Sequence, residues 1–203
     1  MENYLRELDV FKFVNKDALL SFKGKIKKKK EIVPNTFEYD IELDQEMKFT
    51  AGQYIWVQLE NLVTEDPRGN LRAFSIIDRQ NDHRNISIVF RKSDSGYKKT
   101  LLNLDVNDEI SVLGPRGFFS LPEVTVPAVL IAGGVGIAPF ITMLNQATKA
   151  NSQMNFLLFI NNASNDRRVY SEEVQQMVSQ NPNLKVYELI GEKLSWGFIE
   201  KNL

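Results

Sequence analysis

The sequence predicts a small antiparallel β-barrel followed by an α/β unit built on a parallel sheet. Short strand-like runs separated by turn residues fill the chain up to about residue 121. Beyond Leu121-Pro122, apolar runs alternate with helical stretches, the pattern of parallel strands joined by crossover helices. Hydrophobic residues make up 43% of the 203, enough for a core in each part, so disorder is excluded as a reading of most of the chain.

Residues 1–20 read as an N-terminal extension, with Tyr4, Leu5, Leu8 and Phe11 near helical spacing and Phe13, Val14, Leu19 and Leu20 continuing the apolar character. It packs on its own protein or docks on another chain. The barrel is expected over 21–123. Its first strand starts as the alternating Phe22-Lys23-Gly24-Lys25-Ile26 and runs into Lys27 to Lys30, read as the solvated end of an edge strand. Further strands are expected at 36–43, 54–59, 72–78, 86–91 and 109–113, bounded by Pro34-Asn35, Ala51-Gly52, Pro67-Arg68-Gly69, Asn81-Asp82 and Gly114-Pro115. One short helix, 97–103, opens after Ser95-Gly96. The second unit, 124–203, shows buried strands at 129–132, 156–160 and 184–190, with helices at 140–149 and 169–180.

Composition removes several function classes. Lys plus Arg (25) balances Asp plus Glu (26), which argues against nucleic acid as the main partner. Zero cysteines exclude disulfides, thiolate nucleophiles and cysteine-ligated clusters. The one histidine, His83, reads as a solvated loop residue, with no second histidine for a metal pair. No apolar run reaches membrane-spanning length and no signal-peptide pattern opens the chain, so a cytoplasmic protein with no metal is expected.

Three segments carry chemistry. In Ala132-Gly133-Gly134-Val135-Gly136-Ile137-Ala138-Pro139-Phe140 a buried strand ends, glycines allow a tight turn, and a helix begins. Its exposed N–H groups and positive helix end favour a phosphate, although tight strand-to-helix packing explains the glycines equally well. The second segment is Arg72-Ala73-Phe74-Ser75, where alternation sends Arg72 and Phe74 to one face; a core aromatic beside an exposed arginine is the plain alternative. In the third, Phe90 and Arg91 lead into Ser95-Gly96-Tyr97-Lys98-Lys99-Thr100, a helix start with several cations, which is either an anion site or a serine-capped surface helix.

In order, Arg72-x-Phe74-Ser75, the helix start at Ser95-Gly96, Gly114-Pro115-Arg116-Gly117-Phe118-Phe119 and Gly133-Gly134-x-Gly136-Ile137-x-Pro139-Phe140 resemble the ferredoxin–NADP reductase family over about residues 21–200. The resemblance implies a six-stranded Greek-key FAD-binding barrel followed by a doubly wound nucleotide domain. It implies that Arg72 holds the FAD pyrophosphate, that Phe74 lies against the flavin and that Ser75 sets its hydroxyl near flavin N5 as the catalytic residue. Ala73, Phe90, Arg91, Gly96, Tyr97, Lys98 and Thr100 complete the FAD site. Gly133, Gly134 and Gly136 face the diphosphate of NADH or NADPH, and Ile137 and Pro139 shape the approach to the nicotinamide. Arg167 and Arg168 either read a ribose 2′-phosphate or simply belong to a helix start, which leaves NADH and NADPH both open.

Family members continue past the segment resembling Trp196-Gly197-Phe198-Ile199 with another strand, a Cys-Gly-x-Pro turn, a helix and a last strand. A truncated nucleotide domain is therefore expected, lacking strands 4 and 5 of the order 3-2-1-4-5 and one wall of the nicotinamide pocket. The strand at 129–132 then becomes a sheet edge, which favours a homodimer or a place in a complex. The leading expectation is an FAD-dependent oxidoreductase moving electrons between NAD(P)H and a one-electron acceptor protein such as ferredoxin. The alternative is an FAD-binding electron-transfer or interaction subunit without its own NAD(P)H turnover.

Overall fold

In the computed structural model, which describes residues 20–121 and 127–203, six antiparallel strands form one sheet and three parallel strands another. The first comprises β1 (Ser21–Val33), β2 (Thr36–Leu43), β3 (Tyr54–Gln58), β4 (Leu71–Ser75), β5 (Asn85–Arg91) and β6 (Glu109–Arg116), with helix α1 (Gly96–Asn103) between β5 and β6. The spatial order is β4-β3-β6-β1-β2-β5, and a bridge between Ile77 and Ser87 brings the two ends together into a barrel. Alternation does the sorting: Phe22, Gly24 and Ile26 point inward on β1 while Lys23 and Lys25 face water. Ile26, Ile41, Ile55, Ile88 and Val112 fill the core, and each such residue contributes about 1.5–3 kcal/mol by leaving water.

The lysine run departs from expectation. It lies inside a long strand: β1 continues to Val33 and pairs with β2 along that length, but with β6 only from Ser21 to Lys25. Lys27 to Lys30 thus blunt the open side of β1 beyond Lys25, where its other side stays paired with β2 and β2 with β5. An irregularity between Ile26 and Lys28 turns Lys29 inward. Its ammonium donates to the carbonyls of Leu102 and Leu104 at the C-terminal end of α1, where a cation is favoured, and lies 5.5 Å from the Tyr39 ring centroid. His83 is also less solvated than expected. It is half-buried, packs edge-on against Phe49 at 5.0 Å, and has Nδ1 3.8 Å from Asp78.

The second sheet comprises β7 (Ala128–Gly133), β8 (Phe156–Asn162) and β9 (Leu184–Ile190), in the order β7-β8-β9. Helices α2 (Ala138–Lys149), α3 (Ser171–Gln180) and α4 (Trp196–Lys201) accompany it. Ile141 and Leu144 of α2 pack with Leu130, Ala132, Leu158 and Ile160 from one sheet face. On the other face Phe198 of α4 meets Phe159 edge-on, while Val129 and Ile131 of β7 stay 42% and 50% exposed. α3 starts two residues later than its periodicity predicts, because Tyr170 adopts φ 60° and ψ 24°, a left-handed conformation that no α-helix contains. The extension at 1–20 lies, but for Leu20, outside the described residues, as does the expected boundary at 123/124.

The barrel and the parallel-sheet unit meet along the segment that follows β4. Asp78 N donates to Thr142 Oγ1 (3.1 Å), whose hydroxyl donates to the Ile76 carbonyl (2.9 Å). Asn145 Nδ2 and Lys149 Nζ both donate to the Arg79 carbonyl, at 3.1 and 2.6 Å. Ile77 and Val89 of the barrel join the apolar cluster around α2.

Candidate cofactor site

Helix α1 starts with Ser95 as its N-cap, whose side chain accepts from Lys98 N at 3.2 Å. The β3–β4 loop packs directly onto this helix start. A Cβ on Gly96 would stand 2.1 Å from the Thr64 carbonyl oxygen, so only glycine lets the loop come so close. Thr100 ties the loop down from the other side: its hydroxyl donates to the Gly96 carbonyl (2.8 Å) and accepts from Val63 N (2.9 Å). At the loop's centre the buried Asp66 accepts from Tyr97 N and Arg68 N, both at 3.0 Å. Burial works against its charge, but these two N–H groups and Arg72 outweigh it and hold the carboxyl below the usual carboxylate range.

Arg72 points along the same face. Its Nη1 donates to the carbonyls of Arg68, Gly69 and Leu71 at 2.8–2.9 Å, and Nη2 lies 2.7 Å from Asp66 Oδ1. That Nη2 is buried, with Asp66 as its ion-pair partner. Lys98 is the second cation here. Its ammonium stands 4.9 Å from the Phe74 ring centroid and 4.5 Å from that of Phe90, with no carboxylate paired to it among the described residues. Burial first, then repulsion from Arg72 and Arg68, pushes its pKa down to about 8. Three cations thus share one carboxylate at a helix N-terminus, an imbalance that suits a phosphate-bearing ligand.

Phe74, Phe90 and Tyr97, named from the sequence as site residues, form a ring cluster inside the barrel. Each is buried, and the Tyr97 hydroxyl donates to the Val57 carbonyl at 2.8 Å. What β4 leaves exposed or half-exposed on its opposite face is Ala73 and Ser75. Asp66 and Arg68 were not singled out in the sequence. The turn at Pro67-Arg68-Gly69 was visible, but not that its loop folds back onto α1.

The glycine turn sits at the end of β7. Gly134 has φ 51°, and Gly134–Ile137 form a single 3-10 turn before α2, with Pro139 in the first helical turn. A Cβ on Gly136 would meet nothing within 4 Å, so this side of the turn is open, whereas Ile137 is fully buried beneath it. Arg91, exposed at the end of β5, brings Nη2 within 3.7 Å of where a Gly134 Cβ would be. One cation of the barrel, Arg91, therefore borders the glycine turn. Arg168 is committed elsewhere: its guanidinium forks onto Glu188 of β9, whose Oε1 also accepts from Asn162 Nδ2 at 2.8 Å. Arg167 is half-buried in the 3-10 turn Asn165–Arg167.

A family model described as "Oxidoreductase FAD-binding domain" matches residues 23–121, and one described as "Oxidoreductase NAD-binding domain" matches residues 130–202. The chain belongs to the ferredoxin–NADP reductase family of flavoprotein oxidoreductases. It is 28% identical over 140 residues to the toluate 1,2-dioxygenase electron transfer component of Pseudomonas putida, covering 68% of this chain and 40% of that one. It is 24% identical over 208 residues to the CDP-6-deoxy-L-threo-D-glycero-4-hexulose-3-dehydrase reductase of Yersinia pseudotuberculosis, covering 98% and 55%. The chain spans about half, or less, of the length of these curated relatives. Among solved structures, ferredoxin-NADP+ reductase from Plasmodium falciparum shares the fold with TM-score 0.72 and 23% identity, over 86% of this chain and 72% of that one. An Amycolatopsis cytochrome P450 reductase aligns with TM-score 0.76 and 18% identity, over 90% and 58%.

FAD and NAD(P)H are the cofactors of this family's two domains. The donor set fits them: the Lys98 ammonium, with no carboxylate paired to it among the described residues, and Arg72 offer cations beside the start of α1, and the glycine turn is open on its Gly136 side. No helix among the described residues is long and apolar enough to cross a membrane.

Proposed function

We propose that this protein moves electrons between NAD(P)H and a one-electron acceptor protein by way of FAD. The observation that carries the reading is the approach of Arg91, which follows Phe90 of the Lys98 cluster on β5, to Gly134 of the glycine turn. Arg72, Lys98 and the N–H groups at the start of α1 would bind the FAD diphosphate. Gly133, Gly134 and Gly136 would take the dinucleotide diphosphate at the N-terminus of α2. Ser75, half-buried on β4, would set its hydroxyl near the flavin. The chemistry that a bound FAD would supply is hydride acceptance from the reduced nicotinamide and release of the two electrons one at a time. The protein's part is alignment and exclusion of water, so a site with no buried acid–base pair is sufficient. Ferredoxin or a protein like it is the proposed acceptor; the Pseudomonas putida relative is itself an electron transfer component.

The deciding experiment is an anaerobic titration of the FAD-loaded chain with NADH and with NADPH, followed by flavin absorbance. Stoichiometric bleaching by either supports the reading. An FAD-loaded chain that neither nucleotide reduces refutes it and favours an electron-transfer subunit served by another reductase.

A further inference from the structure

Arg79 lies four residues beyond Ser75, in the segment where the two units meet. Its guanidinium forks onto Glu173 of α3, Nε to Oε1 at 2.9 Å and Nη2 to Oε2 at 3.0 Å. The same Nη2 donates to Glu38 of β2 at 2.8 Å, and Nη1 to Ser87 Oγ of β5 at 3.3 Å. Tyr170 completes the cluster. Its ring centroid is 5.2 Å from the guanidinium, and its hydroxyl donates to Glu38. Burial opposes the charge on Arg79, but Glu173 and Glu38 outweigh it and raise its pKa above the ordinary arginine value. This one side chain therefore joins two barrel strands to a helix of the nucleotide unit, while its own carbonyl is held by α2.

Tyr170 shows how specifically the cluster is built. A left-handed conformation is unfavourable for an aromatic residue, and here it places the ring over Arg79 just before α3 begins. The position along β5 says what the cluster controls. Ser87 touches Arg79 and Arg91 borders Gly134, so the two contacts lie roughly 13 Å apart on one strand at ~3.3 Å per residue. Apolar contact through Ile77 and Val89 sets no angle by itself; a bidentate fork does, together with the hydrogen bonds from α2.

We propose that Arg79, with Glu38, Tyr170 and Glu173, is a positioning latch that sets the glycine turn against the FAD strand β4. The proposal rests on the FAD and NAD(P)H reading above. It makes Arg79 a determinant of the rate of electron transfer between two sites that it does not touch.

The test uses the FAD-loaded full chain and the variants Arg79→Ala, Arg79→Lys and Tyr170→Phe. FAD binding and ADP-ribose binding each report on one unit and are expected to stay within ~2-fold of the parent. Flavin reduction at saturating NADH or NADPH is expected to slow roughly 10- to 100-fold in Arg79→Ala, as for a misplacement of about an ångström. Arg79→Lys recovers part of the rate, because a lysine lacks the fork, and Tyr170→Phe, which keeps the ring, falls between. Hydrogen exchange over 171–180 is expected to quicken in Arg79→Ala. Parent-like reduction rates overturn the proposal, as does loss of FAD and ADP-ribose binding together with the rate, which would make Arg79 a folding residue. If the parent itself takes up no FAD or is not reduced, the functional reading fails separately. Exchange then decides the latch: quickened exchange supports it and unchanged exchange overturns it.

Discussion

The ammonium of Lys98 stands 4.5 Å from the Phe90 ring centroid, flanked by cations rather than carboxylates. Aromatic faces attract a cation but do not neutralise it. With its pKa pushed down to about 8, against about 10.4 for an ordinary lysine, the ligand-free protein sheds this proton earlier than the unfolded chain does. The unfolded state therefore holds more protons between about pH 8 and 10, and ligand-free stability gains from Lys98 as pH rises through that window. FAD affinity runs the opposite way. A bound diphosphate favours the ammonium, so above pH 8 binding must take up a proton, and affinity is expected to fall by up to ~10-fold per pH unit. Fluorescence-quenching titrations between pH 6.5 and 9.5 read this slope. Lys98→Met should abolish it, and a parent profile that is flat above pH 8 refutes the assignment.

Arg72 and Asp66 form a buried pair, so substituting one alone has two effects. Arg72→Ala strands a carboxylate and removes a charged hydrogen-bond donor, with an expected loss of about 1.5–3 kcal/mol in stability. The same substitution should weaken FAD binding ~10- to 100-fold. Arg72→Ala with Asp66→Asn separates the effects: thermal stability should return only in part, because an amide oxygen accepts from one of the Tyr97 and Arg68 N–H groups and not both, while FAD affinity stays low. If affinity returns with stability, Arg72 serves the loop and not the cofactor.

The barrel and the alternation of strands and helices were legible because burial on one face imposes a period on the sequence. Strands β2 and β9 begin and end where the pattern ended. What stayed hidden depends on contacts between distant residues. Nothing in Lys27 to Lys30 signals that β6 stops pairing at Lys25, and nothing near Val169 signals a left-handed Tyr170. In the site, Arg72, Lys98 and the glycine turn were readable as cations and glycines at helix starts. Asp66 was not, because its partner Tyr97 N lies 31 residues away and is brought close only by loop packing. Phe74 illustrates the limit of a motif: alternation predicted its side of β4, but that side is the barrel core.

Gly96 tests whether the β3–β4 loop must sit on α1. Alanine is welcome in a helix, yet its Cβ would collide with the Thr64 and Glu65 carbonyl oxygens at 2.1 and 2.9 Å. Backbone has to move, at an expected cost of about 1–3 kcal/mol, lowering Tm by ~2–12 °C. Because Asp66 and Arg72 move with the loop, FAD affinity should fall as well. Gly69→Ala in the same loop meets no atom within 4 Å but has φ 71°, so it adds backbone strain without collision. A Gly96→Ala protein with parent-like Tm and FAD affinity would show that the loop is free of the helix.

The last prediction concerns β7, which lies at the edge of its sheet with Val129 and Ile131 42% and 50% exposed. An edge strand carries unpaired N–H and C=O groups, and here they adjoin the exposed apolar side chains of Val129 and Ile131. The 203-residue chain is therefore expected to associate at micromolar concentration. Two-fold symmetry buries the same patch on both copies, and a two-fold axis normal to the sheet pairs β7 with β7 antiparallel, so each edge satisfies the other. Ile131→Lys sets a like charge on both sides of that seam and should yield monomers without unfolding the chain, because the side chain already faces solvent. Light scattering on the parent, on Ile131→Lys and on a chain lacking residues 1–20 decides between covers. If the shortened parent stays monomeric and soluble at tens of micromolar, an exposed β7 edge does not drive association; if only the shortened chain associates, residues 1–20 are the natural cover.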